Sequence, residues 1–126
     1  MIWTNGPDMI HPRKDFGCTL VQSIKKTESQ VIVVGGKGSD PYLDGLNTVE
    51  SLQRNSNKWM SEESIPEDSL HWHAVTPSNS PEFLLYSIGG SLNNFYPIKK
   101  IYGLSNFPTA GKLLQTWHLT VLIIQV

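Results

Sequence analysis

Cysteine and net charge are both scarce in this chain. One cysteine, Cys18, stands among 126 residues, so no disulfide can form within the chain. It lies in the apolar run 18–21, where we expect a buried and unreactive thiol. Basic and acidic side chains nearly cancel to a net charge of −1, so binding to nucleic acid or to an acidic membrane surface has no support.

Long apolar runs and helical periodicity are also missing. The most apolar stretch, 119–126, is too short to span a bilayer, and residues 1–7 lack the basic and apolar segments of a signal peptide. A cytoplasmic protein is therefore expected. Hydrophobic residues make up 39% and charged residues 17% of the chain, which argues against disorder and favours a packed β-protein.

The chain does contain an internal repeat. Trp3, Trp59 and Trp117 follow one another at intervals of 56 and 58 residues. The pairs Gly35-Gly36 and Gly89-Gly90 are 54 residues apart, and each pair ends an apolar run. A shared period of this length is typical of an architecture built from repeated units.

Each unit is predicted to form four short strands joined by turns. The runs Val31–Val34 and Phe83–Ile88 are short, apolar and followed by glycines, as buried strands often are. The glycines permit positive φ and a close approach of neighbouring backbone. An aromatic residue followed by a small one recurs at one phase, as Phe16-Gly17 and His73-Ala74. The tryptophans are expected to fill the gaps between adjacent sheets.

This combination of elements resembles the kelch repeat family of β-propellers. The matching elements are the apolar run with Gly35-Gly36, the strand at Val49-Glu50 and Trp59, then Gly89-Gly90, Ile101-Tyr102 and Trp117 in the same order. The resemblance covers most of residues 1–106. It implies an all-β fold, namely a kelch-type β-propeller fragment made of four-stranded antiparallel blades in an incomplete ring.

The resemblance divides the chain into four segments. Residues 1–12 end a preceding blade and form the link, residues 13–59 form the first repeat, and residues 60–117 form the second, which diverges after residue 106. Residues 118–126 form an apolar tail, which we interpret as a buried strand or a non-native run-out, with an anchor or a partner-binding strand as the alternative. Because closed propellers need roughly 4–8 blades, the chain is expected to be part of a longer protein or a truncated product, and to aggregate when produced alone.

Three features depart from the kelch pattern. Leu52 stands where a tyrosine is usual after the acidic residue of the third strand. Arg13 supplies the charged partner of the first strand, whereas Leu70 takes the corresponding place in the second repeat. Trp117 is followed at once by the apolar tail instead of a link to another blade.

The loops after the glycine pairs are the candidate partner-binding surface. These loops, Lys37–Leu46 and Ser91–Pro97, carry four aromatic or apolar side chains among small and polar residues: Tyr42, Leu43, Phe95 and Tyr96. Loops on a rigid scaffold often carry binding residues, and aromatic side chains make effective interface anchors. The alternative is that these side chains pack each loop onto its own blade.

Signals for catalysis or metal binding are weak, and no catalytic, cofactor-binding or metal-binding residue is assigned. On a strand, His71 and His73 would face one side and could bind a metal together with Glu67 or Asp68. The favoured interpretation is one histidine in the core or an interface and one in solvent.

Other motif-like segments lack the required spacing. Gly35–Asp40 does not have the glycine and lysine spacing of a phosphate loop, and no helix is expected after it. A calcium loop would need a terminal glutamate that is missing after Asp40, Asp44 and Gly45. Neither serine beside the glycine pair of the second repeat, Ser87 or Ser91, stands in a nucleophile elbow.

The kelch resemblance implies a protein–protein interaction scaffold with no cofactor and a protein partner of unknown identity. It would belong to a larger adaptor, such as a ubiquitin-ligase substrate receptor or a cytoskeletal binder. Open sheet edges could also allow self-association. The alternative is a fragment of a kelch-like enzyme, either a sugar-modifying enzyme or a copper oxidase, whose cysteine–tyrosine link would have to use Cys18.

Overall fold

Two antiparallel sheets, each of four strands, account for the regular structure of the chain. The computed structural model describes residues 1–22, 29–39, 45–67, 69–79, 83–92, 97–109 and 112–122. The first sheet contains β1 (Gly17–Gln22), β2 (Ser29–Val34), β3 (Val49–Gln53) and β4 (Met60–Glu62). The second contains β5 (Ala74–Pro77), β6 (Phe83–Ile88), β7 (Lys100–Thr109) and β8 (Lys112–Leu122).

The strands of each sheet are ordered as they follow one another along the chain. The described ranges contain no helix, so the expectation of an all-β fold with four-stranded antiparallel sheets is confirmed. No described segment is therefore a helix long and apolar enough to cross a membrane.

The central strands β2 and β6 are the two apolar runs seen in the sequence. Each pairs with a strand on both sides, and most of its side chains are at least partly buried. The strands predicted at Val31–Val34 and Phe83–Ile88 are thus confirmed. Their β-branched and apolar side chains suit a pleated surface that packs on its neighbours.

A glycine pair turns the chain at the end of each central strand. Gly35 and Gly36 have φ of 61° and 99°, and Gly89 and Gly90 have φ of 63° and 110°. All four lie in the left-handed region, as predicted. The amide of the first glycine in each pair donates to a main-chain carbonyl at the beginning of the third strand of its sheet. The N–O distance is 3.0 Å in the first repeat and 2.9 Å in the second.

Main-chain bridges identify equivalent positions in the two repeats. Lys37 bridges Lys14 and Gly45 in the first repeat, and Ser91 bridges His71 and Pro97 in the second. Lys14 is therefore equivalent to His71. This equivalence agrees with the sequence alignment, which placed the residue pairs Arg13 and Leu70, and Phe16 and His73, at matching positions.

The second repeat differs from the first by a longer outer hairpin. β7 has 10 residues where β3 has 5, and β8 has 11 where β4 has 3. The extra residues before Trp117 therefore lengthen a hairpin. β8 continues past Trp117 to Leu122, so the first five residues of the apolar tail belong to a strand.

Each sheet has two faces, which are defined by the alternation of side chains along the paired strands. In the first sheet, face A carries Gly17, Thr19, Val21, Ile32, Val34 and Val49, and face B carries Cys18, Leu20, Val31, Val33 and Glu50. In the second sheet, face A carries Ala74, Thr76, Tyr86 and Ile88, and face B carries Val75, Leu85, Ser87, Tyr102 and Leu104.

The core lies where face A of the first sheet meets face B of the second. Its buried members come from both sheets and from the connection between them: Val21, Ile32, Val34, Val49, Ile65, Leu70, Leu84, Leu85, Tyr102 and Leu104. The sheets are tightly packed at Gly17, where an added Cβ would lie only 2.1 Å from Cγ2 of Val75. The two repeats therefore share one core.

Two of the three regularly spaced tryptophans, Trp59 and Trp117, perform the same structural task. The indole Nε1 of Trp59 donates to the carbonyl of Pro7, and that of Trp117 donates to the carbonyl of Glu63, each at 2.9 Å. Each indole thus holds the segment that precedes its own sheet. Trp117 also packs against the shared core.

Two expectations about side-chain burial are wrong. Trp3 is 91% exposed, because no sheet among the described residues lies beside it, so it does not fill a gap between sheets. Cys18 is exposed on face B of the first sheet, which no second sheet covers. Partial burial nevertheless raises the pKa of the Cys18 thiol.

Candidate functional site

The candidate binding loops begin and end at the bridges beside the two glycine pairs. In the first repeat the loop runs between Lys37 and Gly45, which pair with each other, and in the second it runs between Ser91 and Pro97. We call this end of the two sheets the loop end. The four loop residues proposed from the sequence, Tyr42, Leu43, Phe95 and Tyr96, lie outside the described residues.

Main-chain hydrogen bonds join the two repeats at the loop end. Gly36 N donates to Leu70 O at 2.7 Å, and Trp72 N donates to Asp15 O at 3.0 Å. Leu70 N also donates to Leu46 O at 3.2 Å. The bases of both loops are therefore held on one shared main-chain framework.

Trp72 stands out at the loop end, and the sequence alone did not single it out as a binding residue. Its side chain is 57% exposed and its φ is 53°. The equivalent residue of the first repeat, Asp15, has φ of 54°. Aspartate tolerates this left-handed conformation better than most side chains, whereas a large aromatic residue rarely adopts it.

The indole of Trp72 is held in place by two neighbours. Lys37 Nζ lies 4.5 Å from the ring centroid, and the His71 ring meets the indole edge to face at 4.6 Å between centroids. A cation over an indole and an edge-to-face ring pair are both attractive arrangements. An exposed aromatic side chain thus stands in a defined orientation between the bases of the two loops.

His71 and His73 do not face one side of a strand, because the positive φ of Trp72 interrupts the alternation between them. His71 is fully buried, and both of its ring nitrogens lack a hydrogen-bond partner. Burial lowers the pKa of His71, the nearby charge of Lys37 lowers it further, and Asp15 partly opposes the change. The favoured expectation of one solvated histidine is therefore wrong, since His73 is also partly buried.

His73 joins the two sheets through its ring. Nδ1 lies 2.7 Å from the hydroxyl of Ser87 in its own sheet, and Nε2 lies 2.9 Å from the carbonyl of Val34 in the first sheet. Burial lowers the pKa of His73, and the bond to Val34 only partly offsets that effect. The neutral ring, with Nε2 donating to Val34, fits this position.

A buried ion pair joins the segment before the first sheet to β3. The guanidinium of Arg13 contacts the carboxylate of Glu50, and these side chains are 0% and 1% exposed. Arg13 also donates to the carbonyls of Gly35 and Thr48, at 2.7 and 3.1 Å. The carboxylate accepts from the amide of Ile10 at 2.6 Å. These bonds compensate much of the cost of burying two charges.

The ionisation of Glu50 reflects two opposing effects. Burial raises the pKa of Glu50, but the hydrogen bonds from Ile10, Arg13 and His11 and the charge of Arg13 together outweigh burial and lower the pKa. Glu50 is therefore ionised at neutral pH and serves as a structural carboxylate. Both of its carboxylate oxygens accept hydrogen bonds from Ile10, His11 or Arg13, which fits this structural role.

The second repeat has a leucine and a tyrosine in place of this ion pair. Leu70 occupies the position of Arg13, and Tyr102 occupies that of Glu50. Both are buried in the core. The Tyr102 hydroxyl donates to Glu67 of the connecting segment, and Lys100 Nζ donates to the same oxygen at 2.8 Å.

The segments that resemble metal-binding, phosphate-binding or nucleophile motifs gain no support from the described residues. These residues contain no group of three or more His, Cys, Asp or Glu side chains that could hold a metal ion. The amides of Gly35 and Gly36, which a phosphate loop would need, already donate to main-chain carbonyls. Ser87 contacts His73, and Ser91 belongs to a bridge. Asp40 and Asp44 lie outside the described residues.

No protein-family model matches the sequence, and no curated protein matches it either.

Proposed function

We propose that this chain is a kelch-type β-propeller fragment that acts as a protein–protein interaction scaffold and has no catalytic role of its own. In this proposal it forms part of a larger adaptor, and its loop end contacts a protein partner. The observation that carries the proposal is the pairing of two equivalent loop bases around the exposed indole of Trp72.

The repetition of structure supports the kelch assignment. Both repeats have four antiparallel strands, a left-handed glycine pair after the second strand, and a tryptophan that donates to the preceding segment. The Arg13–Glu50 pair adds a charged link between the first strand region and the third strand. These are the elements on which the resemblance in sequence depends.

The character of Trp72 supports a binding role for the loop end. A tryptophan with a left-handed backbone conformation costs about 1–2 kcal/mol relative to a right-handed one. A structural purpose alone would therefore favour a residue such as the aspartate of the first repeat. Tryptophan is the residue type most enriched among interface positions that dominate binding energy. The cost is consistent with selection for contact with a partner.

A binding experiment with three variants tests the proposal. Wild-type chain, Trp72→Asn, and the double variant Tyr42→Ser with Tyr96→Ser are immobilised and exposed to the same cell extract. Asparagine tolerates the left-handed conformation, so Trp72→Asn removes the indole without adding strain. The expected result is one protein whose recovery falls about 10-fold or more, both with Trp72→Asn and with the double variant Tyr42→Ser with Tyr96→Ser.

Met60→Ser is the matched control for the binding experiment. Met60 is 53% exposed and lies at the start of β4, away from the loop end. Recovery of the partner should be unchanged with this variant. Equal recovery with all variants, or an equal loss with Met60→Ser, would contradict a binding role for the loop end.

A further inference from the structure

The faces that do not take part in the core are only partly covered: on face B of the first sheet Val33 and Glu50 are buried, whereas other positions are open. Face B of the first sheet exposes Leu20 by 57% and also exposes Cys18. Face A of the second sheet exposes Ile88 by 37% and also exposes Ala74. Exposed apolar side chains on sheet faces are typical of surfaces that other protein covers.

The strand side chains named below for the two open faces carry no uncompensated charge. On β5, β6 and the start of β7, the positions on face A of the second sheet are apolar or hydroxyl-bearing: Ala74, Thr76, Tyr86, Ile88 and Ile101. On face B of the first sheet the charged residue is Glu50, which Arg13 neutralises. These named positions therefore carry no uncompensated charge that would oppose burial of one face against the other.

The chain already contains the interface that would join these two faces. Within one molecule, face A of the first sheet packs on face B of the second and buries the shared core. The two open faces are the same pair, with the repeats exchanged. Such a contact between unlike faces is heterologous, so its repetition joins molecules head to tail.

Individual positions show how the contact would be repeated. Inside the molecule, Gly17 on face A meets Val75 on face B. The main-chain equivalence of the repeats makes Ala74 the counterpart of Gly17 and Cys18 the counterpart of Val75. In a head-to-tail contact, Ala74 of one copy would therefore meet Cys18 of the next.

The segments that precede the two sheets give the same indication. The connection before the second sheet buries Ile65 between the sheets, where it is 1% exposed. Trp59 holds the segment before the first sheet in the same way that Trp117 holds the connection before the second. In the segment before the first sheet, however, Ile10 is 51% exposed. Burial of Ile10 against another sheet would remove its apolar surface from water, as burial does for Ile65, although the equivalence of the repeats places Ile10 opposite Glu67.

For this chain on its own, without the flanking blades of the larger adaptor proposed above, the geometry points to a second copy as the occupant of the open faces. Face A of the second sheet in one molecule packs on face B of the first sheet in the next, in the arrangement that already joins the two repeats. Because each molecule keeps one open face of each kind, association continues to trimers and larger assemblies unless a ring closes.

Cysteine cross-linking tests this arrangement directly. An ideal Cβ at Gly17 would lie 3.1 Å from Cβ of Val75, so the equivalent pair between copies is near the ~3.5–4.5 Å range of a disulfide. Ala74→Cys, with native Cys18 retained, should form a ladder of disulfide-linked dimers, trimers and larger species under mild oxidation. The two thiols lie on opposite sides of one molecule, so they are not expected to react with each other.

Two control variants carry as many thiols as Ala74→Cys or fewer. Met60→Cys keeps Cys18 and adds an exposed thiol outside the proposed contact, and it should give no ladder. Ala74→Cys with Cys18→Ser should lose the ladder. A result in which Met60→Cys cross-links equally, or Ala74→Cys stays monomeric, would overturn the head-to-tail contact.

Wild-type chain supplies a further discriminating result. It has Cys18 alone, so efficient dimer formation by wild type would indicate that face B meets face B in a two-fold contact, which would also overturn the proposal. Analytical ultracentrifugation provides a measurement that needs no new cysteine. Leu20→Ser should weaken self-association about 10-fold or more, and Met60→Ser should leave it unchanged. A wild-type chain that remains monomeric at high concentration refutes the idea.

Discussion

Each repeat is linked to the segment that precedes it through a carboxylate. The carboxylate belongs to the strand in one repeat and to the preceding segment in the other. In the first repeat the carboxylate belongs to the strand residue Glu50, which accepts from the amides of Ile10 and His11. In the second repeat it belongs to Glu67 of the connecting segment, which accepts from the hydroxyl of Tyr102 on the strand. The same connection is thus made with the donor and acceptor exchanged.

The ion pair of the first repeat should be replaceable only as a pair. Arg13→Leu leaves the carboxylate of Glu50 buried without its cation, and the expected loss is about 3–5 kcal/mol in the free energy of unfolding. The double variant Arg13→Leu with Glu50→Tyr copies the second repeat and should recover much of that loss. Urea denaturation of the three proteins measures the effect.

Leu70→Ala provides a comparison for the Arg13 experiment. It removes an apolar side chain that is fully buried at the equivalent position, with an expected cost of about 2–5 kcal/mol. If the Arg13 and Glu50 double variant were no more stable than Arg13→Leu alone, the two repeats would not be interchangeable at this position.

At the scale of single elements, the two glycine pairs have the same conformation but different surroundings. A Cβ at Gly35 would lie 2.3 Å from the main-chain oxygen of Leu70. A Cβ at Gly89 would meet only Ile98 O, at 3.8 Å. The first pair therefore serves a close contact between repeats, and Gly89 serves only its turn.

Alanine substitutions should separate these two requirements. Gly89→Ala carries only the cost of a left-handed alanine, about 1–2 kcal/mol. Gly35→Ala carries that cost and a main-chain clash, so it should destabilise the protein by about 3 kcal/mol or more. Thermal unfolding followed by circular dichroism compares the two variants. Equal losses would show that Leu70 O moves aside without penalty.

The elements that the sequence predicted are those with a local physical signature. The strands at Val31–Val34 and Phe83–Ile88 show as apolar runs, and the glycine pairs show as turn formers. The exposure of Cys18 and Trp3 could not be predicted, because it depends on which sheet faces are covered. Burial of a strand residue is a tertiary property that the period of a run does not contain.

The candidate site was only partly predictable for the same reason. The loops follow from the positions of the glycines, but the role of Trp72 depends on its backbone conformation and on its neighbour Lys37. A signal for it does exist in the sequence. Alignment of the repeats places Trp72 opposite Asp15, and a tryptophan opposite a turn-forming aspartate is unusual.

At the scale of the whole molecule, the tight packing at Gly17 is one point at which the two sheets meet directly. Gly17→Ala would place a methyl group 2.1 Å from Cγ2 of Val75, and it should destabilise the protein by about 1–3 kcal/mol. Adding Val75→Ala makes room for that methyl group. The double variant should therefore be more stable than the sum of the two single changes predicts.

A double-mutant cycle in urea measures this coupling between the sheets. Thr19→Ala, at another position on face A of β1, serves as the comparison, and it should show no coupling to Val75→Ala. Additive effects of Gly17→Ala and Val75→Ala would contradict direct packing of the two sheets at this point.

The bonds between the repeats at the loop end connect main-chain atoms, as in the contact of Gly36 with Leu70 and of Trp72 with Asp15. Every amino acid except proline supplies these groups, so most substitutions leave them intact. Evolution can therefore exchange the side chains around this joint extensively while the relative placement of the units persists. Divergence of the two halves in residue identity is the expected history of a joint made in this way.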